Sequence, residues 1–187
     1  MHHIDVSTVL RRTVCDLYSN LVTRPTGAAV RTEIEQLLRE INGRTITVID
    51  FSNVGLLDLS CADEIVAKLL LRYVPGAEQA EPDHEGYFLF RGVSDHHLDM
   101  IECVLERHRL ALVAENEHGE PLLVGVVDDQ ERALWEALLR HGAARPATLA
   151  LETMRPLDVV TARLDALCRR RLAMRVGEDY IAVGVAR

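Results

Sequence analysis

Apolar positions along the chain follow two periods, and each predicts an element. Val6, Leu10, Val14, Leu17 and Leu21 recur at helical spacing and predict a helix over residues 6–22, ended by the turn Arg24-Pro25-Thr26-Gly27. Val30, Ile34, Leu37, Leu38 and Ile41 form one stripe and predict a helix over 30–41 that stops at Asn42-Gly43. The run ITVIDF at 46–51 is short, β-branched and apolar on both faces, as in a strand buried between two layers. A helix is expected over 60–73, then a polar loop over 76–86 and a strand over 88–90. Ser94 is placed to cap a helix running to Arg107. Residues 110–114 and 121–127 read as a hairpin around Asn116-Glu117-His118-Gly119. This alternation predicts an α/β fold with a largely parallel sheet and an antiparallel last strand.

Beyond Asp129 the pattern changes to three helices, near 130–140, 148–154 and 158–171, and a ribbon of strands at 173–175 and 180–183. Two units are therefore expected, 1–128 and 129–187. The charge steps at the same place. Residues 1–128 hold 11 Lys+Arg against 21 Asp+Glu, a balance of −10, whereas 129–187 hold 10 against 8, a balance of +2. The whole chain carries −8, which taken alone argues against nucleic acid as a partner of the whole chain, whereas the split points to two units with different partners.

At 187 residues and 48% hydrophobic the chain is globular, and no tract repeats. No apolar run approaches the roughly 20 residues of a membrane span, and the opening MHHIDVSTVLRR has no signal-peptide core, so a cytoplasmic protein without membrane contact is expected. Cys15, Cys61, Cys103 and Cys168 fit neither a zinc knuckle nor a CxxC pair and read as reduced, buried thiols. Twenty arginines against one lysine point to a GC-rich bacterial genome.

The run TVIDFSNVGLLDLSCADEIVAKLL, 47–70, resembles the strand–loop–helix core of STAS domains, the fold of bacterial anti-sigma-factor antagonists. The resemblance rests on Asp50 at the strand end, Asn53 and Val54, the pair Asp58-x-Ser60, and Asp63-Glu64. In the phosphorylated antagonists the acceptor serine directly follows the aspartate. Leu59 stands there in this chain, and Ser60 matches the neighbouring serine. Asp58 and Ser60 could form a phosphate-receiving or partner-binding switch loop at a helix N-terminus, although simple capping explains both residues more readily. Residues 130–187 resemble a winged-helix DNA-binding domain of bacterial regulators, with Leu164 and Leu167 in its buried positions and Gly177 at the wing tip. In that geometry the third helix meets the major groove, so Thr161, Arg163, Arg169, Arg170 and Arg175 are the DNA-contacting candidates. Asp158 and Asp165 on the same face, and Glu178 and Asp179 at the wing, oppose that contact.

Other constellations have simpler readings. Arg169-Arg170-Arg171 could clamp phosphate, or merely offset a helix C-terminus. Asp95, His96, His97 and Asp99 could hold a divalent ion, but the first turn of a helix also favours aspartate. Arg24, Thr26, Gly27 and Arg31 could bind an anion, although a chain turn explains Pro25 and Gly27. No Walker loop, GxGxxG, GxSxG or HExxH occurs, so neither an enzyme nor a cofactor is expected. The leading expectation is a homodimeric bacterial transcription regulator, with a STAS-like unit docking a protein partner and a winged helix binding duplex DNA. The alternative is a signalling adaptor whose winged helix has lost DNA.

Overall fold

The computed structural model describes residues 1–15, 19–41, 43–74, 85–116 and 118–185. The fold is α/β. Five strands, β1 (His2–Asp5), β2 (Thr45–Asp50), β3 (Gly86–Arg91), β4 (Ala111–Glu115) and β5 (Pro121–Gly125), form one sheet in the order β1-β2-β3-β4-β5. The first four are parallel and β5 returns antiparallel to β4. Helices α1 (Val6–Thr13), α2 (Arg24–Arg39), α3 (Leu59–Ala62), a π-helical turn (Asp63–Ala67), α4 (Lys68–Tyr73) and α5 (Asp95–His108) fill the connections.

A sheet wound in one direction puts every crossover helix on the same side, because each crossover has the same hand. Helices α1 to α5 accordingly share one core with Ile49, Phe51, Phe88, Phe90 and Leu112. The other face of the sheet, Ile46, Val48, Tyr87, Leu89, Val113 and Leu123, is left for another layer. That layer is the C-terminal segment: α6 (Asp129–His141), α7 (Pro146–Thr153), α8 (Leu157–Arg169) and the ribbon β6 (Ala173–Val176) and β7 (Asp179–Ala182). Trp135, Leu138, Leu149, Val160, Leu164 and Tyr180 join those sheet residues in a second continuous core. Asp128 caps α6, so the chain changes character where the sequence does, but the second core runs across the 128/129 boundary. Arg171 Nε also reaches across to the Tyr73 carbonyl at 2.9 Å, and Arg44 Nη1 donates to the Arg175 carbonyl at 2.5 Å.

Local chemistry sets the helix starts. Asp5, Thr23, Asp58, Ser94 and Asp128 each accept first-turn amides with their side chains, at the positions where Asp, Ser and Thr cap well. Three expectations are revised here. The segment Arg24-Pro25-Thr26-Gly27 is the first turn of α2 rather than a turn between helices, since proline at the start of a helix gives up no hydrogen bond. Helix α1 stops at Thr13, where residues 6–22 had been expected to continue; 16–18 lie outside the described residues, and Leu21 bridges to Leu57. Strand β1 was not anticipated, because four residues carry too little pattern. The loop expected over 76–86 lies outside the described residues up to His84. Among the described residues no helix is long and apolar enough to cross a membrane.

Candidate functional site

The bridge between Leu21 and Leu57 ties two loops together. Leu21 donates to the Leu56 carbonyl at 2.7 Å, and Asp58 donates back to the Leu21 carbonyl at 2.8 Å. This pairing sets the start of α2 beside the start of α3. Gly27 makes the close approach possible: a Cβ there would lie 3.0 Å from the Cys61 Cα and 3.2 Å from its sulfur. Between these helix starts and α5 lies a cavity of about 400 Å³, lined by Arg24, Asp58, Leu59, Ser60, Asp63, Cys103, Val104 and Arg107.

Asp58 and Ser60, the expected switch-loop residues, both line it. Asp58 Oδ1 accepts the Cys61 amide at 2.7 Å and the Ser60 hydroxyl at 2.9 Å. Burial raises the Asp58 pKa, but these hydrogen bonds outweigh it and hold the carboxyl below its ordinary value. Cys61 is inert as a nucleophile, because burial first and the Asp58 charge second push its thiol up to about 12. Cys103 and Cys15 are exposed, not buried as expected; Cys61 is buried and Cys168 intermediate.

The floor of the cavity is a charged network that local sequence does not announce. The π-helical turn presents adjacent carboxylates to one cation: Arg24 Nη1 donates to Asp63 at 2.8 Å and to Glu64 at 2.7 Å. Arg31 and Lys68 complete Glu64, His108 completes Asp63 at 2.8 Å, and Arg31 and Arg72 share Glu35. Burial raises the Asp63 and Glu64 pKa values, yet the hydrogen bonds from Arg24, His108 and Lys68 more than reverse this, and both carboxyls are lowered. The anion site suggested for Arg24, Thr26, Gly27 and Arg31 is thus occupied by the protein's own carboxylates. Arg107 is different. It is exposed at the cavity rim and has no ion pair with any described residue.

Leu59, which lines this cavity, is exposed, as are Val22 and Leu56 in the two bridged loops, Leu56 at 48%. A smaller cavity of about 330 Å³ lies at the C-terminal ends of β3 and β4, where open α/β sheets commonly hold ligands. Three of its polar groups serve the fold: Ser94 caps α5, Glu115 pairs with Arg91 at 2.5 and 2.9 Å, and Asn116 closes its own turn. His97, weighed as a metal ligand, is buried and completes the capping box with Ser94, while its Nε2 sits 3.3 Å from the Gly55 carbonyl. Burial lowers its pKa. No group of three metal-binding side chains gathers among the described residues.

On the C-terminal layer the five residues expected at DNA differ in their partners. Arg163 pairs with Asp128 at 2.8 Å. Arg170 pairs with Glu131 at 2.7 Å and donates to the Val126 carbonyl. Thr161 donates its hydroxyl to the Leu157 carbonyl at 2.7 Å. Arg175 donates to the Gly177 carbonyl at 3.2 Å and lies over the Tyr180 ring. Arg169 is exposed and has no partner among the described residues. Asp165 accepts the Tyr180 hydroxyl at 2.6 Å, and Arg145 approaches Glu178 and Asp179 at the ribbon turn. Arg171, the remaining member of the triplet, is turned toward Tyr73, Tyr87 and Glu85.

No protein-family model matches the chain, and no curated protein matches it.

Proposed function

We propose that this protein is a protein-interaction adaptor: a protein partner docks on the α/β unit at the Asp58–Ser60 cavity, and the C-terminal helices serve as the second layer of the sheet. The observation that carries this reading is the distribution of free groups. Arg163, Arg170 and Arg171 neutralise the protein's own acids and carbonyls, so two of the four arginines expected at DNA are engaged by acids. Free apolar surface and a free cation meet at the cavity, where the exposed Leu59 and Arg107 both line it. Apolar side chains with a few converging polar groups suit a partner presenting an apolar residue flanked by a carboxylate. Asp58 and Ser60 hold the rim in shape through the cap of α3.

A second reading keeps duplex DNA as the target, and the exposed Arg169 and Arg175 favour it. One pair of experiments separates the two. A photo-crosslinker at Leu59 is expected to trap one partner protein, with capture lost in Leu59→Asp and in Arg107→Glu while the melting temperature holds. In parallel, the intact chain is titrated with duplex DNA at low salt. Salt-dependent binding that disappears in Arg169→Ala and Arg175→Ala, with no capture at Leu59, overturns the adaptor reading in favour of a transcription regulator.

A further inference from the structure

We propose that the corner between α7 and α8 is the contact face of a symmetric homodimer of this chain. The inference does not depend on the adaptor reading, since it concerns a different surface. Leu151 is 82% exposed and Met154 91%, and Leu157 at the start of α8 is exposed as well. A cluster of large apolar side chains at one corner loses free energy to water in the monomer and regains it only under cover.

Met154 carries a second mark. Its φ of 51° lies in the left-handed region, at the C-cap of α7, where glycine is the favoured residue. A methionine there accepts a strained backbone and still projects a long apolar side chain outward. Neither fact helps the isolated chain.

The charges indicate what covers the corner. Arg155 and Asp158 are exposed, and neither side chain has an ion pair or hydrogen bond among the described residues. Glu152, by contrast, is already paired with Arg140 and His141. One free cation and one free anion three residues apart make the corner neutral and complementary to itself. A two-fold axis through such a patch sets each Arg155 against the Asp158 of the other copy, as an isologous contact requires. Duplex DNA offers only anions and would leave Asp158 opposed to phosphate.

Sedimentation equilibrium of the full chain, from about 1 to about 200 µM, is expected to show a reversible dimer. Met154→Gly removes the side chain and relieves the left-handed strain, so dimerisation should weaken at least about 10-fold while the melting temperature stays level or rises. The decisive measurement is a mixture. Arg155→Asp and Asp158→Arg each set like charges across the axis and should be monomeric alone, whereas mixed together they should form a heterodimer. A monomer at every concentration, a dimer indifferent to Met154→Gly, or a mixture no more associated than its components each overturns the proposal. Loss of crosslinking at Leu59 would leave it untouched.

Discussion

The guanidinium of Arg163 lies 2.8 Å from the carboxylate of Asp128, the residue that caps α6. The pair joins α8 to the start of the first C-terminal helix, and it does so from a position that the sequence would set against DNA.

Arg163→Ala and Arg170→Ala should therefore act on stability, and unequally. The Arg163 pair is partly open to water, so its loss should cost no more than about 1 kcal/mol. Arg170 faces a buried Glu131 and also bonds the Val126 carbonyl, so Arg170→Ala should cost about 1–3 kcal/mol through the acid left without its partner. Urea denaturation of the two variants measures the difference. Equal, negligible losses would contradict it.

Gly27 lets α2 pack tightly against α3. A methyl group there would press on the Cys61 backbone at 3.0 Å and on the Glu64 Cβ at 3.2 Å. Gly27→Ala gains helix propensity but should still destabilise the fold, and Gly27→Val should cost about 1–3 kcal/mol through overpacking. Thermal melts of the pair, with the larger loss in valine, check this.

The charged floor of the cavity makes stability depend on acid in a defined direction. Asp63 and Glu64 hold their protons less tightly in the folded chain than at their ordinary values of 3.8 and 4.5, burial being outweighed by their cationic partners. Their contribution is thus full above about pH 4.5 and is lost as the pH falls through the lowered folded-state values. Glu64→Gln should be less stable at neutral pH, because Lys68 loses its anion and Arg24 and Arg31 each lose one of two, and its stability should fall less steeply in acid. A slope unchanged from the parent between neutral and acid urea titrations would rule this out.

Trp135 is buried and donates its indole N–H to the Leu172 carbonyl at 3.0 Å, joining α6 to the chain entering β6. Trp135→Phe keeps most of the apolar volume and removes one of two donors to that carbonyl, which still accepts the Val183 amide at 2.9 Å, so a loss of about 0.5–1.5 kcal/mol is expected. Trp135→Ala should cost about 3–5 kcal/mol through the cavity it leaves. Denaturant titration followed by far-ultraviolet circular dichroism reads both, since the only tryptophan is removed.

Much of the fold was legible in the chain. Apolar period and capping residues set the helices from Asp95, Asp129 and Leu157 to within a residue or two at their starts, and the alternation of strands and helices determined an α/β sheet. These signals are local, so a single segment carries each of them. The role of Asp58 as a cap was local in the same sense. The cavity was not. Arg24, Asp63, His108 and Arg107 come from three separate elements, and nothing in the spacing of one element tells which charge on another will meet it.

Tertiary structure also decided the fate of the C-terminal arginines. Their number and positions follow from the sequence, but whether a guanidinium faces water or an acid depends on which layer its helix packs against. Because the crossovers of a one-way sheet occupy a single face, the three last helices close the other, and Arg163, Arg170 and Arg171 turn toward acids and carbonyls near the sheet. The sequence by itself determined most of the elements, though not β1 or the end of α1, and the supply of charge. Packing alone determined which charges were cancelled, since pairing falls off over a few ångströms and those distances exist only in the folded chain.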